Sequence, residues 1–308
     1  MSGDGGPSSL GEFELVGRII ERLGDRARGV DVLGPGDDAA VVPAPDRRVV
    51  ASTDVQVEGR HFRSGWVSAY DVGRRAASAS LADIAAMGAE PTALLVGLVA
   101  TTATGPDWLD GFADGLRDEA ARCQALVVGG DLVRGEHVTI AVTALGDLGG
   151  RRPVTRSGAQ PGDVVAVAGR LGWSAAGLRA LDNGSLSGEL QDAFRRPAPP
   201  YEIGPAVADL GATAMIDVSD GLAADLGHVS RASGVRIDIE LAAVRALGTT
   251  GVTDDDVLTG GEDHALAFTI DSNVMLSDRC VIIGHVSEGS GVHADGSPVS
   301  GGHDHFRS

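Results

Sequence analysis

Lysine is missing from this chain altogether, so all 25 Lys-or-Arg positions are arginine. That absence excludes a P-loop lysine, a kinase-type strand lysine and Schiff-base chemistry. Cysteine is nearly absent as well. Cys123 and Cys280 stand far apart with no CxxC spacing, which argues against zinc and against a disulfide framework and fits a reducing, cytoplasmic compartment. No apolar run approaches the ~20 residues of a membrane span, and no signal peptide opens the chain, so no membrane partner is expected. Positive charge is scarce beside negative: the formal net charge is -18 and the pI about 4.7, which argues against a nucleic-acid backbone as partner.

What is present is ordinary in bulk and unusual in placement. Hydrophobic residues make up 43% and charged residues 22% of the 308, a soluble globular composition long enough for two domains. Residues 1–10, Gly/Ser-rich, read as a disordered terminus, residues 11–148 as an N-terminal domain, and 149–308 as a C-terminal α/β domain. Phe13, Val16, Ile19, Ile20 and Leu23 have helical spacing, which predicts a helix over 12–24. Further helices are predicted over 69–87, 107–122, 174–181, 201–210 and 221–232. Strands are predicted over 39–42, 47–52, 92–100, 125–128, 137–145, 163–168, 213–216, 235–241, 264–270 and 280–286. The polar stretch 149–162, with Arg151, Arg152 and Arg156, reads as a linker that also touches ligand. Both halves repeat strand, acidic turn, helix, strand, so two α/β (α+β) domains sharing one active site is the simplest architecture.

Six short segments place an Asp among Gly, Ser or Thr. Asp38 precedes a predicted strand. Asp54 follows one, with the Ser52 and Thr53 hydroxyls beside it. Asp83 rides a helix, and Asp131 follows Gly129-Gly130. In the second half Asp217, Ser219 and Asp220 precede a helix, where Ser219 or Asp220 would serve as N-cap and the exposed N–H groups would hold phosphate. Gly260-Gly261 lets backbone approach a ligand closely, with Glu262 or Asp263 reaching it. A single such Asp is a turn or cap residue. Gathered together, hard oxygen ligands suit several Mg²⁺ ions around a polyphosphate. Arg156 is placed to neutralise phosphate, and His61 sits near the acidic cluster. Trp66, Trp108 and Trp173 read as packing residues. No nucleophile-plus-base pair stands out, and none is needed when a phosphomonoester oxygen, already ionised near neutral pH, is the acceptor.

Taken in order, the segments beginning at Gly36 (Gly-Asp-Asp-Ala-Ala-Val), Ser52 (Ser-Thr-Asp, then Val57-Glu58-Gly59 and His61-Phe62), Asp83 (Asp-Ile-Ala-Ala-Met-Gly-Ala, Pro91 close behind), Gly129, Thr155, Asp217 and Gly260 resemble the thiamine-monophosphate kinase family. The resemblance runs from Gly11 to Phe306. It implies two domains of the aminoimidazole ribonucleotide synthetase-related kind, with N-terminal halves pairing into a homodimer and ATP near the dimer junction. It further implies direct in-line transfer of the ATP γ-phosphoryl group to thiamine monophosphate, the last step of thiamine diphosphate formation, with no dedicated base. The Mg²⁺ positions it implies are Asp38, Ser52, Thr53, Asp54, Asp83, Asp131, Asp217 and Asp220. Gly130, Asp131, Arg156 and Ser219 correspond to nucleotide contacts, and His61, Glu262 and His303 to substrate contacts. Two positions depart from the pattern: Ala82 stands where Ser is common, and His303 where an aromatic is common. A phosphohydrolase, a sister enzyme of the superfamily and a non-catalytic nucleotide sensor are the competing readings. The first predicts phosphate release without acceptor, and the last predicts lost carboxylates.

Overall fold

The computed structural model describes residues 12–24, 34 and 39–303. The segment 1–10, the turn with Asp37 and Asp38, and Asp304-His305-Phe306 lie outside those residues. The described chain forms two compact units: one takes the residues up to Leu81 with Pro91–Asp147, the other Ala82–Glu90 with the chain from Leu148 onward. The sequence groups 82–90 with the N-terminal half, yet its backbone packs inside the second unit. A β-carbon at Gly204 would lie 2.0 Å from the Ala85 carbonyl oxygen, and the Val154 N–H donates to the Met87 carbonyl at 3.1 Å.

The first unit contains α1 (Glu12–Leu23), β1 (Val50–Val57), α2 (Ala69–Ala86) up to Leu81, β2 (Glu90–Ala100) from Pro91, α3 (Pro106–Ala121), β3 (Leu126–Arg134) and β4 (Thr139–Asp147). Its sheet has the order β1-β4-β2-β3, with β1 antiparallel to β4 and β2 parallel to β3. Helices α2 and α3 touch backbone to backbone, because β-carbons at Gly73 and Gly115 would fall 2.2 Å from the Phe112 and 2.1 Å from the Tyr70 carbonyl oxygens. Glycine at both positions is what permits this approach. Arg18 and Arg22 of α1 pair with Asp110 of α3 at 2.5 and 3.1 Å. Alternation along the strands buries Ile140, Val142 and Ala144 on one face and leaves Val55, Leu95 and Val133 at 52, 36 and 47% exposure on the other.

In the second unit β5 (Asp163–Ala168), α4 (Trp173–Asp182), α5 (Glu189–Arg195), α6 (Ile203–Asp209), β6 (Ala214–Val218), α7 (Leu222–Ser233), β7 (Arg236–Ile239), α8 (Leu241–Arg245), α9 (Asp254–Thr259), β8 (Ala265–Asp271), β9 (Cys280–Ser287), β10 (Gly291–Ala294) and β11 (Ser297–Val299) follow one another. Its sheet has the order β11-β10-β7-β9-β5-β8-β6, antiparallel except where β10 lies parallel to β7. Val165, Val167, Ile216, Leu226, Ile237 and Ile283 are among the core residues that α7 and the sheet share. One sheet with helices per unit is the α/β (α+β) pair of domains expected.

Several local expectations change. Asp54 lies inside β1 and Gly129-Gly130-Asp131 inside β3, not at strand ends. Val55 to Val57 and Leu132 to Val133 continue each pattern past the acidic residue. Among the described residues 39–42 only Val41 makes a bridge, so no strand forms there. Helices α5, α8 and α9 and strands β10 and β11 had no expectation. All are short, and pairing or packing rather than periodicity selects them.

Candidate active site

In the first unit, β1 is an edge strand facing α2. Ser52, Asp54 and Gln56 point toward the helix, and the Ser80 hydroxyl donates to Asp54 Oδ2 at 2.7 Å. Ser80 is fully buried, so it fixes the Asp54 carboxylate from below, a contact that sequence reasoning missed. The neighbouring Ala82 is also fully buried and adds only packing. Asp83, half-buried near the end of α2, falls in the part of that helix that belongs to the second unit. Thr53 points to the opposite face, where its hydroxyl donates to the Val142 carbonyl at 3.2 Å and accepts from Thr143 at 3.1 Å. Its side chain is therefore not beside those of Ser52 and Asp54. His61 occupies the turn after β1 and accepts the Val57 N–H on Nδ1 at 3.0 Å, which leaves Nε2 to carry the ring proton.

Asp131 faces away from Asp54. Val55 pairs with Ala141, a β-carbon at Gly97 would lie 3.7 Å from that of Ala141, and Gly97 pairs with Asp131. These four residues form one row across the open face of the sheet. Asp54 and Asp131 thus sit on opposite faces and on opposite edge strands, roughly 14 Å apart by strand spacing alone. Gly130 lies against β2: a β-carbon there would be 2.2 Å from the Val96 carbonyl oxygen.

The second unit gathers its candidates. Asp217 lies near the end of β6, and Ser219-Asp220-Gly221 form the bend before α7. Glu262 N–H donates to the Ser219 carbonyl at 2.8 Å, His264 N–H to Val218 at 3.0 Å and His303 N–H to Asp220 at 2.9 Å. A β-carbon at Gly261 would lie 2.2 Å from the Ser219 carbonyl oxygen, so only glycine allows this contact. Glu262 and His264 both hold positive φ, 69° and 52°, conformations that cost of order 1–3 kcal/mol each outside glycine and that gather at functional sites. Asp217, Ser219, Asp220, Glu262 and His303 are thereby brought together by three knitted segments.

The helix cap differs from expectation. The cap residue of α7 is Gly221, with no side-chain cap bond. Asp225, one turn into the helix, accepts the Ser219, Asp220 and Gly221 N–H groups on Oδ2 at 3.1, 3.0 and 3.1 Å. Those N–H groups are committed to a carboxylate and are not an open phosphate cradle. An Asp one turn into a helix that begins with Asp-Gly was the available signal. Burial, then the charges of Asp217 and Asp220, push the Asp225 carboxyl up to about 7. Asp263 faces inward to the Ser174 N–H at the start of α4, 2.9 Å away, and burial raises it to about 6. Asp263 is thus structural, and Glu262 is the outward-facing acid of that pair.

Arg156 is exposed beside the edge strand β6, where the Met215 N–H donates to the Thr155 carbonyl at 3.1 Å. The Ser233 hydroxyl, at the end of α7, donates to the Arg156 carbonyl at 3.1 Å and accepts the Gly158 N–H. Burial and the charges of Arg231 and Arg156 hold His228 of α7 below its usual range, while Asp220 opposes them. Arg156 therefore lies within electrostatic reach of the acidic bend.

Among the described residues no three His, Cys, Asp or Glu side chains close on one point as a metal cage. Mg²⁺ does not require one, since it is commonly held by one or two carboxylates with waters and phosphate oxygens completing the shell. Asp217 and Asp220 lie close enough to add to the effect of burial on Asp225, and such a cluster of hard oxygen donors fits a divalent cation.

Residues 36–148 match the family model described as AIR synthase related protein, N-terminal domain, and residues 160–295 that of the C-terminal domain. Thiamine-monophosphate kinase of Mycobacterium tuberculosis is 49% identical over 83% of this chain and 80% of its own length. The enzyme of that name from Escherichia coli K12 is 37% identical over 97% and 99%. The chain belongs to the thiamine-monophosphate kinase family. The crystal structure of the Stenotrophomonas maltophilia family member superposes with a TM-score of 0.80 at 32% identity, covering 94% of this chain and 98% of that one. A ThiL complexed with AMPPCP and TMP superposes at 0.79 with 30% identity, covering 96% and 97%.

Proposed function

We propose that the chain uses ATP to phosphorylate thiamine monophosphate, giving thiamine diphosphate and ADP. Family membership sets the reaction. The structural observation that carries it is the knitting of Asp217, Ser219, Asp220, Glu262 and His303 into one patch of the second unit, which supports a site for a phosphorylated substrate and its metal. In this reading Asp38, Ser52, Asp54, Asp83, Asp131, Asp217 and Asp220 supply oxygens to several Mg²⁺ ions, with Thr53 contributing through its backbone. Gly130, Asp131, Arg156 and Ser219 contact nucleotide, while His61, Glu262 and His303 contact thiamine monophosphate. Bound Mg²⁺ would supply neutralisation of the phosphate oxygens. The residues themselves hold and orient the two anions, and the ionised acceptor oxygen attacks in line without a base.

We further propose a homodimer formed through the open face of the four-stranded sheet. Val55, Leu95 and Val133 are exposed there, an apolar face that a second copy of the chain would cover. A cytoplasmic location accords with the sparse, unpaired cysteines; no helix among the described residues is long and apolar enough to cross a membrane.

The test is ADP formation with ATP and Mg²⁺, with and without thiamine monophosphate, with products identified by mass. ADP that appears only with the acceptor, in step with thiamine diphosphate, is expected. ADP and free phosphate without acceptor would mean a hydrolase.

A further inference from the structure

His264 follows the Gly260-Gly261-Glu262-Asp263 segment and belongs to none of the roles assigned above. Its Nδ1 lies 3.2 Å from Asp217 Oδ2, and both residues are 4% exposed. An ionised carboxylate only accepts, so Nδ1 carries the proton and donates it to Asp217. Two features show that this contact is imposed by the fold. The His264 backbone sits at φ 52°, a conformation a non-glycine residue occupies only when its surroundings enforce it. Its N–H is tied to the Val218 carbonyl at 3.0 Å, beside the Glu262-to-Ser219 bond at 2.8 Å. The strained turn therefore aims the ring at one oxygen of a buried carboxylate.

We propose that His264 is a positioning residue for Asp217, locking its rotamer through Nδ1–H so that the carboxylate stands preorganised for a divalent cation. A buried carboxylate with one oxygen pinned loses little freedom on binding a cation, and groups that orient metal ligands typically change metal affinity or activity by about 10–100-fold when removed. The inference rests on the reading of Asp217 as a cation ligand.

The experiment uses the full chain in three forms, His264→Ala, His264→Asn and Asp217→Asn, alongside wild type. Free Mn²⁺ is followed by electron paramagnetic resonance as it is titrated into protein with AMPPCP, and the Mg²⁺ half-saturation of turnover is measured separately. Asn tolerates the left-handed backbone and places an amide N–H near the Nδ1 position. The expected result is Mn²⁺ binding and Mg²⁺ half-saturation weakened about 10-fold or more in His264→Ala, largely restored in His264→Asn. Should the Ala variant lose its cooperative unfolding transition, His264→Gln against His264→Met, similar in length and differing in the donor, makes the same comparison. Equal cation dependence with and without the donor would overturn the positioning role. Wild-type cation dependence in Asp217→Asn would instead overturn the ligand reading beneath it.

Discussion

Asp225 is the residue whose loss should be felt most in the architecture of the acidic bend. In Asp225→Ala the N–H groups of Ser219, Asp220 and Gly221 lose their shared acceptor. Gly221 is buried, while Ser219 and Asp220 are half-buried and can turn partly to water. An unsatisfied buried donor costs about 1–3 kcal/mol and a partly solvated one less, so the sum is about 3–5 kcal/mol. That is a large share of a typical domain's stability. Relief of repulsion from Asp217 and Asp220 offsets part of it. Asp225→Asn isolates that offset: it keeps an acceptor oxygen and removes the charge. With the carboxyl raised from an ordinary 3.8 to about 7, the Asn variant should match wild type within about 1 kcal/mol near pH 4 and exceed it by about 4 kcal/mol at pH 8, where wild type must hold the buried carboxylate ionised. Thermal unfolding by circular dichroism at pH 5, where Asp225 is protonated in the fold, should show the Ala variant lowered by roughly 10 °C, at the 2–4 °C per kcal/mol usual for a domain of this size. A His264-to-Asp217 contact left intact by crystallography would confirm that the damage is local to the bend. An Ala variant within 1–2 °C of wild type would refute the assignment of those three bonds.

Three further outcomes follow from the same geometry. Asp263, held at about 6 by burial against an ordinary 3.8, stabilises the fold fully below about pH 4 and loses that contribution as pH rises through 6, about 3 kcal/mol in all; Asp263→Asn should flatten the fall in melting temperature between pH 4 and 7, and an unchanged slope would contradict it. Asp54→Asn should lower turnover by at least about 100-fold while shifting the melting temperature by no more than about 2 °C, because a metal oxygen is lost and the Ser80 contact can persist; near-normal turnover would remove Asp54 from the site. Val55→Arg, on the open sheet face, should convert a dimer to a monomer in light scattering, and an unchanged mass would move the interface elsewhere.

The acidic segments were more legible in the sequence than the ends of the elements that carry them. The acidic segments announced themselves because carboxylates among glycines and hydroxyls have little use in a core, and long helices such as α2 and α3 were legible in their periodicity. Strand ends were not. Asp54 and Asp131 were expected to terminate strands, but pairing with β4 and β2 carries β1 and β3 past them, and pairing partners are distant in sequence. The cap of α7 was misplaced for a related reason: Asp225 wins the bend's N–H groups by lying one turn inside the helix, where it reaches all three.

By itself, then, the sequence determined the family, because its acidic segments stand in one ordered set along nearly the whole chain. Only tertiary structure decided which side chains face one another. Strand alternation set Asp54 and Thr53 on opposite faces, sheet order parted Asp54 from Asp131, and backbone bonds between segments more than 40 residues apart joined Glu262 and His264 to the Asp217 bend. Residue type fixes what a group can bind, but direction is fixed by contacts that form only when distant segments pack.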